Sequence, residues 1–208
     1  MRVFSVEDIC EGIGAFFLAI ALVAREDDDE SGESLRAGIF YRNGIGDSAA
    51  LQSALESINK ASLNKGAIYF QGAELFLEPG VYDLGDCAME SASHLKMAAC
   101  GGAKIVGLGK SPSETVLLGG GESHGKRILN FPGGASANYA TISNMTFTGG
   151  YTAASGGAVC TLGAVNYDTC VISNNYAAGG GGGIALRRQT SGIDALAEKE
   201  AAQIWLLR

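Results

Sequence analysis

Asp and Glu together number 22, the chain's stock of carboxyl side chains able to act as acids, bases or nucleophiles. Such chemistry needs carboxyl groups in pairs about 5–9 Å apart. Parallel strands stacked about 4.8 Å apart would supply that spacing to residues one repeat apart. The repeat is 25 residues, as shown below, so each carboxylate can be tested for a partner 25 positions on. Asp83 leads to Leu108, Asp86 to Ser111, Glu90 to Thr115, Glu122 to Phe147 and Asp168 to Ile193. Only Asp8 and Glu33 pair, and both precede the repeats. Stacked acid pairs are therefore not expected.

The other concentrations of reactive groups are weaker. Ser123-His124-Gly125-Lys126-Arg127 sets a histidine and two cations in a glycine-rich stretch, and reads as a solvated turn between Leu118 and Ile128. Cys10, Cys87, Cys100, Cys160 and Cys170 show no CxxC spacing, and neither His94 nor His124 adjoins one, which argues against zinc. Cys160 and Cys170 flank one inter-strand connection and read either as a disulfide, if the chain is exported, or as two buried thiols. The run Glu26-Asp27-Asp28-Asp29-Glu30 reads as a solvated linker, since no glycine turn organises it for calcium. No catalytic, cofactor-binding or metal-ligating residue is assigned from sequence.

The elements that would position these groups are short strands. Glycine is 31 of 208 residues, roughly twice the usual ~7%, while proline is 3 and charged residues are 18%. No G-X-Y period exists, so collagen is excluded. A net charge of −7 excludes a protein built to grip nucleic-acid phosphates. Ten glycines precede residue 101 and 21 follow from there, so the turn-rich part is C-terminal.

Three segments follow. Residues 1–42 read as a possible signal or leader plus acidic linker. Gly12–Ala24 holds thirteen uncharged, mostly apolar residues, about 20 Å as a helix and too short to span a bilayer. It reads either as the apolar region of a signal peptide, with Ala19-Ile20-Ala21 as cleavage site, or as a buried or capping helix; Glu7, Asp8 and Glu11 oppose the first. Residues 43–190 carry a capping helix and strands. Asp47 is a good N-cap, with Leu51, Leu55 and Ile58 on one face of a helix ending near Lys60. Strands are expected at Ala67–Phe70, Leu75–Leu77, Val81–Leu84, Lys104–Gly109 and Thr115–Leu118. In residues 191–208, Ser191-x-x-Asp194 has capping-box form, with Ile193, Leu196, Ala197, Ala201, Ile204 and Leu207 on one helical face. That tail reads either as a cap on the last open strand edge or as the product of a truncated or shifted reading frame.

The repeat lies between. Phe147 pairs with Ile172, Tyr151 with Tyr176, Gly157 with Gly182 and Val159 with Ile184, each at an offset of 25. A period in this range signals stacked repeats, with Phe147, Val159, Ile172 and Ile184 pointing to the core. A threonine ladder of the ice-binding kind is not expected, because Thr146 maps to Val171 and Thr152 to Ala177.

Asn43-Gly44-Ile45-Gly46-Asp47-Ser48-Ala49-Ala50-Leu51-Gln52, then Ile68-Tyr69-Phe70, Glu78-Pro79-Gly80-Val81-Tyr82 and Ile105-Val106-Gly107-Leu108-Gly109, resemble the N-terminal region of pectate-lyase-like proteins. That resemblance spans Asn43 to Gly121 and implies an all-β right-handed parallel β-helix of about three to five coils with helical caps. Thr141 to Leu186 resembles the repeats of chlamydial-type polymorphic outer membrane proteins, marked by GGA[ILV] and FxxN. Gly156-Gly157-Ala158-Val159 matches the first motif and Gly181-Gly182-Gly183-Ile184 matches with one glycine for alanine. Phe147-Thr148-Gly149-Gly150 lacks the Asn, and Ile172-Ser173-Asn174-Asn175 lacks the Phe. This second resemblance implies a secreted or cell-surface, adhesin-like scaffold, outer membrane-associated, whose partners are glycans or host surface proteins. From the residues themselves no cofactor and no membrane span in this chain are expected. Family members carry many copies and a membrane barrel; this chain has two clear copies, which also fits a piece of a larger passenger. The alternative is a carbohydrate-active enzyme, a polysaccharide lyase or glycoside hydrolase acting on acidic polysaccharides. Ser123–Arg127 is similar to the GHG and RxK elements of polygalacturonases, but their N-T-D and D-D motifs are absent.

Overall fold

The computed structural model describes residues 21–25, 34–39, 41–42, 45–65, 73–97, 104–132, 140–162 and 165–186. Those residues are mostly β, with parallel sheets and little helix. The α-helix, α1, spans Ser48–Lys65. Asp47 caps it: its Oδ1 accepts from the Ala50 N–H at 2.9 Å, and its carbonyl accepts from the Leu51 N–H at 3.1 Å. Ala50, Leu51, Ala54 and Leu55 form the buried face. The helix outruns the expected end near Lys60, because no glycine or proline intervenes before Gly66.

Strands β1 (Ala21–Arg25), β2 (Ser34–Ile39), β3 (Tyr41–Arg42) and β4 (Ile45–Gly46) precede α1. After it come β5 (Ala73–Leu77), β6 (Gly80–Asp83), β7 (Ser93–Lys96), β8 (Lys104–Gly107), β9 (Thr115–Leu118) and β10 (Arg127–Phe131). Then follow β11 (Ala140–Ser143), β12 (Thr146–Thr148), β13 (Tyr151–Thr152) and β14 (Val159–Thr161). The last are β15 (Val165–Asp168), β16 (Val171–Ser173), β17 (Tyr176–Ala177) and β18 (Ile184–Leu186). The first sheet has the order β1-β2-β5-β8-β11-β15, the second β16-β12-β9-β6-β4-β3 and the third β18-β14-β10-β7; β13 pairs with β17 alone. From β5 onward, β13 and β17 aside, the chain visits first, second and third sheet in unbroken rotation. Among the described strands only β1–β2 and β3–β4 pair antiparallel.

The 25-residue offset is the register of the last two rows: Ala140 faces Val165, Phe147 faces Ile172, Tyr151 faces Tyr176 and Val159 faces Ile184. Earlier rows are longer and unequal. Val116 faces Thr146, Leu95 faces Leu129 and Ile105 faces Ile142. Partners of the carboxylates change accordingly: Glu74 faces Lys104, Asp83 faces Leu118 and Asp168 faces Ser143. In the register of the described strands no carboxylate faces another. Glu74 instead makes a 2.9 Å ion pair with Lys104.

Phe147 and Val159 are fully buried, with Leu75, Leu77, Tyr82, Leu95, Ile105, Leu117, Leu129 and Ile142 in the same core. Each such side chain stabilises the fold by roughly 1.5–3 kcal/mol. Ile172 and Ile184 are only partly buried, because they sit on the outermost strands of their sheets. Residues 34–39 pair with β5, Leu35 facing Ala73, so the parallel sheet reaches upstream of residue 43, where the sequence reading opened its strand-bearing segment. Ala21–Arg25, the end of the apolar stretch, is a strand; the rest of that stretch, the acidic run, the strand expected at Ala67–Phe70 and the C-terminal helix expected in 191–208 lie outside the described residues. Strands β7 and β10 were not expected, since the polar residues Ser93, His94, Lys96 and Arg127 mask them.

Turns between strands within a row use left-handed residues. Asn144, Thr169 and Asn174 have φ of 54°, 52° and 53°. Asparagine tolerates this region, and Asn144 also donates to the Gly107 carbonyl at 2.9 Å. Thr169, β-branched, is strained there. Thr169→Asn is expected to stabilise the protein by about 1 kcal/mol, a rise of roughly 2–4 °C in melting temperature. An unchanged or lower midpoint would contradict the strain.

Candidate functional site

One corner of the molecule gathers the polar and aromatic groups. It comprises the turn at 122–125 between β9 and β10, the end of β6, and the β13–β17 pair. His94, on β7, is fully buried. Its Nδ1 lies 2.9 Å from the Cys87 carbonyl and its Nε2 accepts from the Gly120 N–H at 3.3 Å. These partners place the proton on Nδ1 and leave neither nitrogen free. Burial lowers its pKa, aided by the Lys126 and His124 charges and opposed by the Cys87 carbonyl, so His94 stays neutral and structural.

His124 is exposed, its ring centroid 6.1 Å from that of His94. Its Nδ1 donates to the Gly120 carbonyl at 2.9 Å and lies 3.0 Å from Ser123 Oγ, which itself donates to Gly120 at 2.8 Å. A methyl group on Gly85 would stand 3.3 Å from Asp83 Oδ1 and 3.5 Å from His124 Nε2, so a carboxylate oxygen and an imidazole flank the bare glycine. The expected solvated turn is present at Ser123–Gly125, but Arg127 departs from it. It opens β10 and is only 6% exposed.

Tyr151 and Tyr176 stack directly across β13 and β17, ring centroids 4.6 Å apart and 23° from parallel. Such a pair contributes about 0.5–1.5 kcal/mol beyond its burial. Tyr176 is 51% exposed, an unusual position for so large a ring. Lost hydration and the nearby Glu122 charge raise the Tyr151 phenol above its ordinary range, so it remains a neutral hydroxyl beside Glu122. The identical residue at the 25-residue offset was the signal for this pair; that it is stacked and open was not legible.

Behind this corner, Glu90 takes Lys96 Nζ on Oε1 at 2.7 Å and Asn130 Nδ2 on Oε2 at 2.7 Å. Burial pushes its carboxyl up, but those two hydrogen bonds and the Lys96 and Arg127 charges outweigh it and hold it below the usual range. Ser93 Oγ and Arg127 Nε are buried without a hydrogen-bond partner, on residues that face each other across β7 and β10.

Cys87, Cys160 and Cys170 are free thiols, so the expected alternatives for Cys160 and Cys170 resolve to unbridged cysteines. Burial pushes the Cys87 and Cys170 thiols up, away from nucleophilic thiolate. Among the described residues no group of three or more His, Cys, Asp or Glu is placed to hold a metal ion, and no helix is long and apolar enough to cross a membrane. Comparison with protein-family models, with curated proteins and with solved structures gave no match.

Proposed function

We propose that this chain is a right-handed parallel β-helix that acts as a non-catalytic, secreted or cell-surface scaffold and binds glycans through its Tyr151–Tyr176 corner. The strand rotation through three sheets supports the β-helix, and the in-register 25-residue rows support kinship with polymorphic outer membrane repeats. The carrying observation is the stacked tyrosine pair, with Tyr176 exposed and Tyr151 half-buried. A rigid aromatic face stacks on the apolar side of a sugar ring, and phenol and carboxylate edges bind its hydroxyls. Holding the rings on paired strands means little side-chain entropy is lost on binding.

Tyr176→Ala is expected to weaken binding to any glycan captured on an array by tenfold or more, about 1.4 kcal/mol, without altering the fold. Tyr176 is exposed on the outermost strand, so the loss of stability should stay at about the 0.5–1.5 kcal/mol of the ring stack. An array with no hits, or hits that survive Tyr176→Ala, would sink the reading.

A second reading is a carbohydrate-active enzyme on acidic polysaccharides, favoured by the Asp83 carboxylate and His124 imidazole that flank Gly85. Release of reducing ends or unsaturated products from polygalacturonate, lost in both Asp83→Asn and His124→Ala, would establish it in place of the first.

A further inference from the structure

We infer that Arg127 and Ser93 form a binding point for an oxyanion, a carboxylate or sulfate; on the glycan-binding reading above, which this rests on, the ligand is an acidic glycan. Arg127 is 6% exposed and Ser93 fully buried, and Arg127 Nε and Ser93 Oγ both lack a hydrogen-bond partner. The two residues sit directly opposite on adjacent parallel strands. Among the described residues no hydrogen bond or ion pair reaches the guanidinium. A buried cation normally has a counter-ion, because desolvating it alone is costly.

The acid placed to serve is Glu90, whose carboxyl feels the Arg127 charge. Both its oxygens are engaged elsewhere, one by Lys96 and one by Asn130. The chain thus sets a cation in place and commits the neighbouring carboxylate to other donors. A guanidinium presents parallel N–H groups that match the two oxygens of a carboxylate or sulfate, and the Ser93 hydroxyl adds a further donor. The position also suits the proposed ligand. Lys126, next to Arg127, accepts the Tyr151 N–H on its carbonyl at 3.0 Å, so the backbone entering β10 runs beside the strand that carries the tyrosine stack. With a net charge of −7 the protein repels anions at long range, and specific anion binding requires such a local feature.

The test is thermal melting of the full chain in sodium sulfate against sodium chloride at matched ionic strength, for wild type, Arg127→Met and Ser93→Ala. Near-saturating sulfate is expected to raise the wild-type midpoint by about 3 °C or more beyond any rise in Arg127→Met. Without sulfate, Arg127→Met should melt no lower than wild type, since it removes an unpaired buried charge. Ser93→Ala should shift the sulfate titration several-fold to higher concentration. Equal responses in wild type and Arg127→Met would mean that sulfate acts only by exclusion from the surface, and would overturn the inference. If Arg127→Met does not fold, the Ser93→Ala titration decides: a curve superposing on wild type overturns it.

Binding of dextran sulfate and polygalacturonate against neutral dextran then separates this inference from the reading beneath it. A specific sulfate response with no glycan binding keeps the anion point and removes the glycan. Neutral-glycan binding that depends on Tyr176, with no sulfate response, keeps the glycan and removes the anion point.

Discussion

Gly157→Ala is expected to destabilise the protein by about 3 kcal/mol or more, the largest effect of any single methyl group considered. The added carbon would stand 2.3 Å from the Gly182 carbonyl oxygen and 2.5 Å from that of Tyr176. Both are backbone atoms of the next row, which cannot rotate aside as a side chain can. Relief requires the rows to part, and the Gly157 N–H to Gly181 carbonyl bond, already 3.3 Å, would lengthen first. The Tyr176 carbonyl belongs to one member of the aromatic stack, so glycan binding should fall with stability. Gly125→Ala is the control: its φ is +61° but nothing lies within 4 Å of the new methyl group. It should cost only the left-handed penalty, about 1–2 kcal/mol. Urea denaturation measures both, and equal midpoints for the two variants would refute the packing argument.

Asn175→Ala is expected to cost about 2–3 kcal/mol, roughly 5–10 °C in melting temperature. The Asn175 amide donates to the Phe147 carbonyl at 3.0 Å and the Ser173 carbonyl at 2.8 Å, while its Oδ1 accepts from the Gly150 N–H at 2.8 Å. Removing it strands backbone groups in two rows at once. Asn175→Asp, though isosteric, should be no better, because it keeps the acceptor for Gly150 but turns a carboxylate oxygen against two carbonyls. A fully stable Asn175→Asp variant would show that the donor bonds carry little weight.

These bonds also join the two 25-residue copies. Phe147 and Gly150 of the first copy correspond to Ile172 and Asn175 of the second. Asn175 lies one row beyond Gly150 and bonds back to both Gly150 and Phe147. The two copies thus lock together across the row boundary, and the missing side chain at Gly150 leaves room for the Gly157 carbonyl and the Asn175 oxygen.

The sequence by itself determined the β class, the capped helix after Asp47 and the register of the last two rows. Helix caps and turn glycines act over a few residues, and equal rows place like residues directly above one another, so the pattern is written in linear spacing. Tertiary structure decided what linear spacing could not carry. The earlier rows differ in length because more residues lie between their strands, which leaves strand stacking intact while erasing any fixed period; Leu95 meets Leu129, and Ile105 meets Ile142. The polar β7 and β10 become strands because neighbouring rows complete their hydrogen bonds, which overrides weak local propensity. For the same reason Arg127, which local composition places in solvent, is carried into the interior beside Ser93. Burial of a strand residue is set by what packs over it, and that is settled only when distant segments meet.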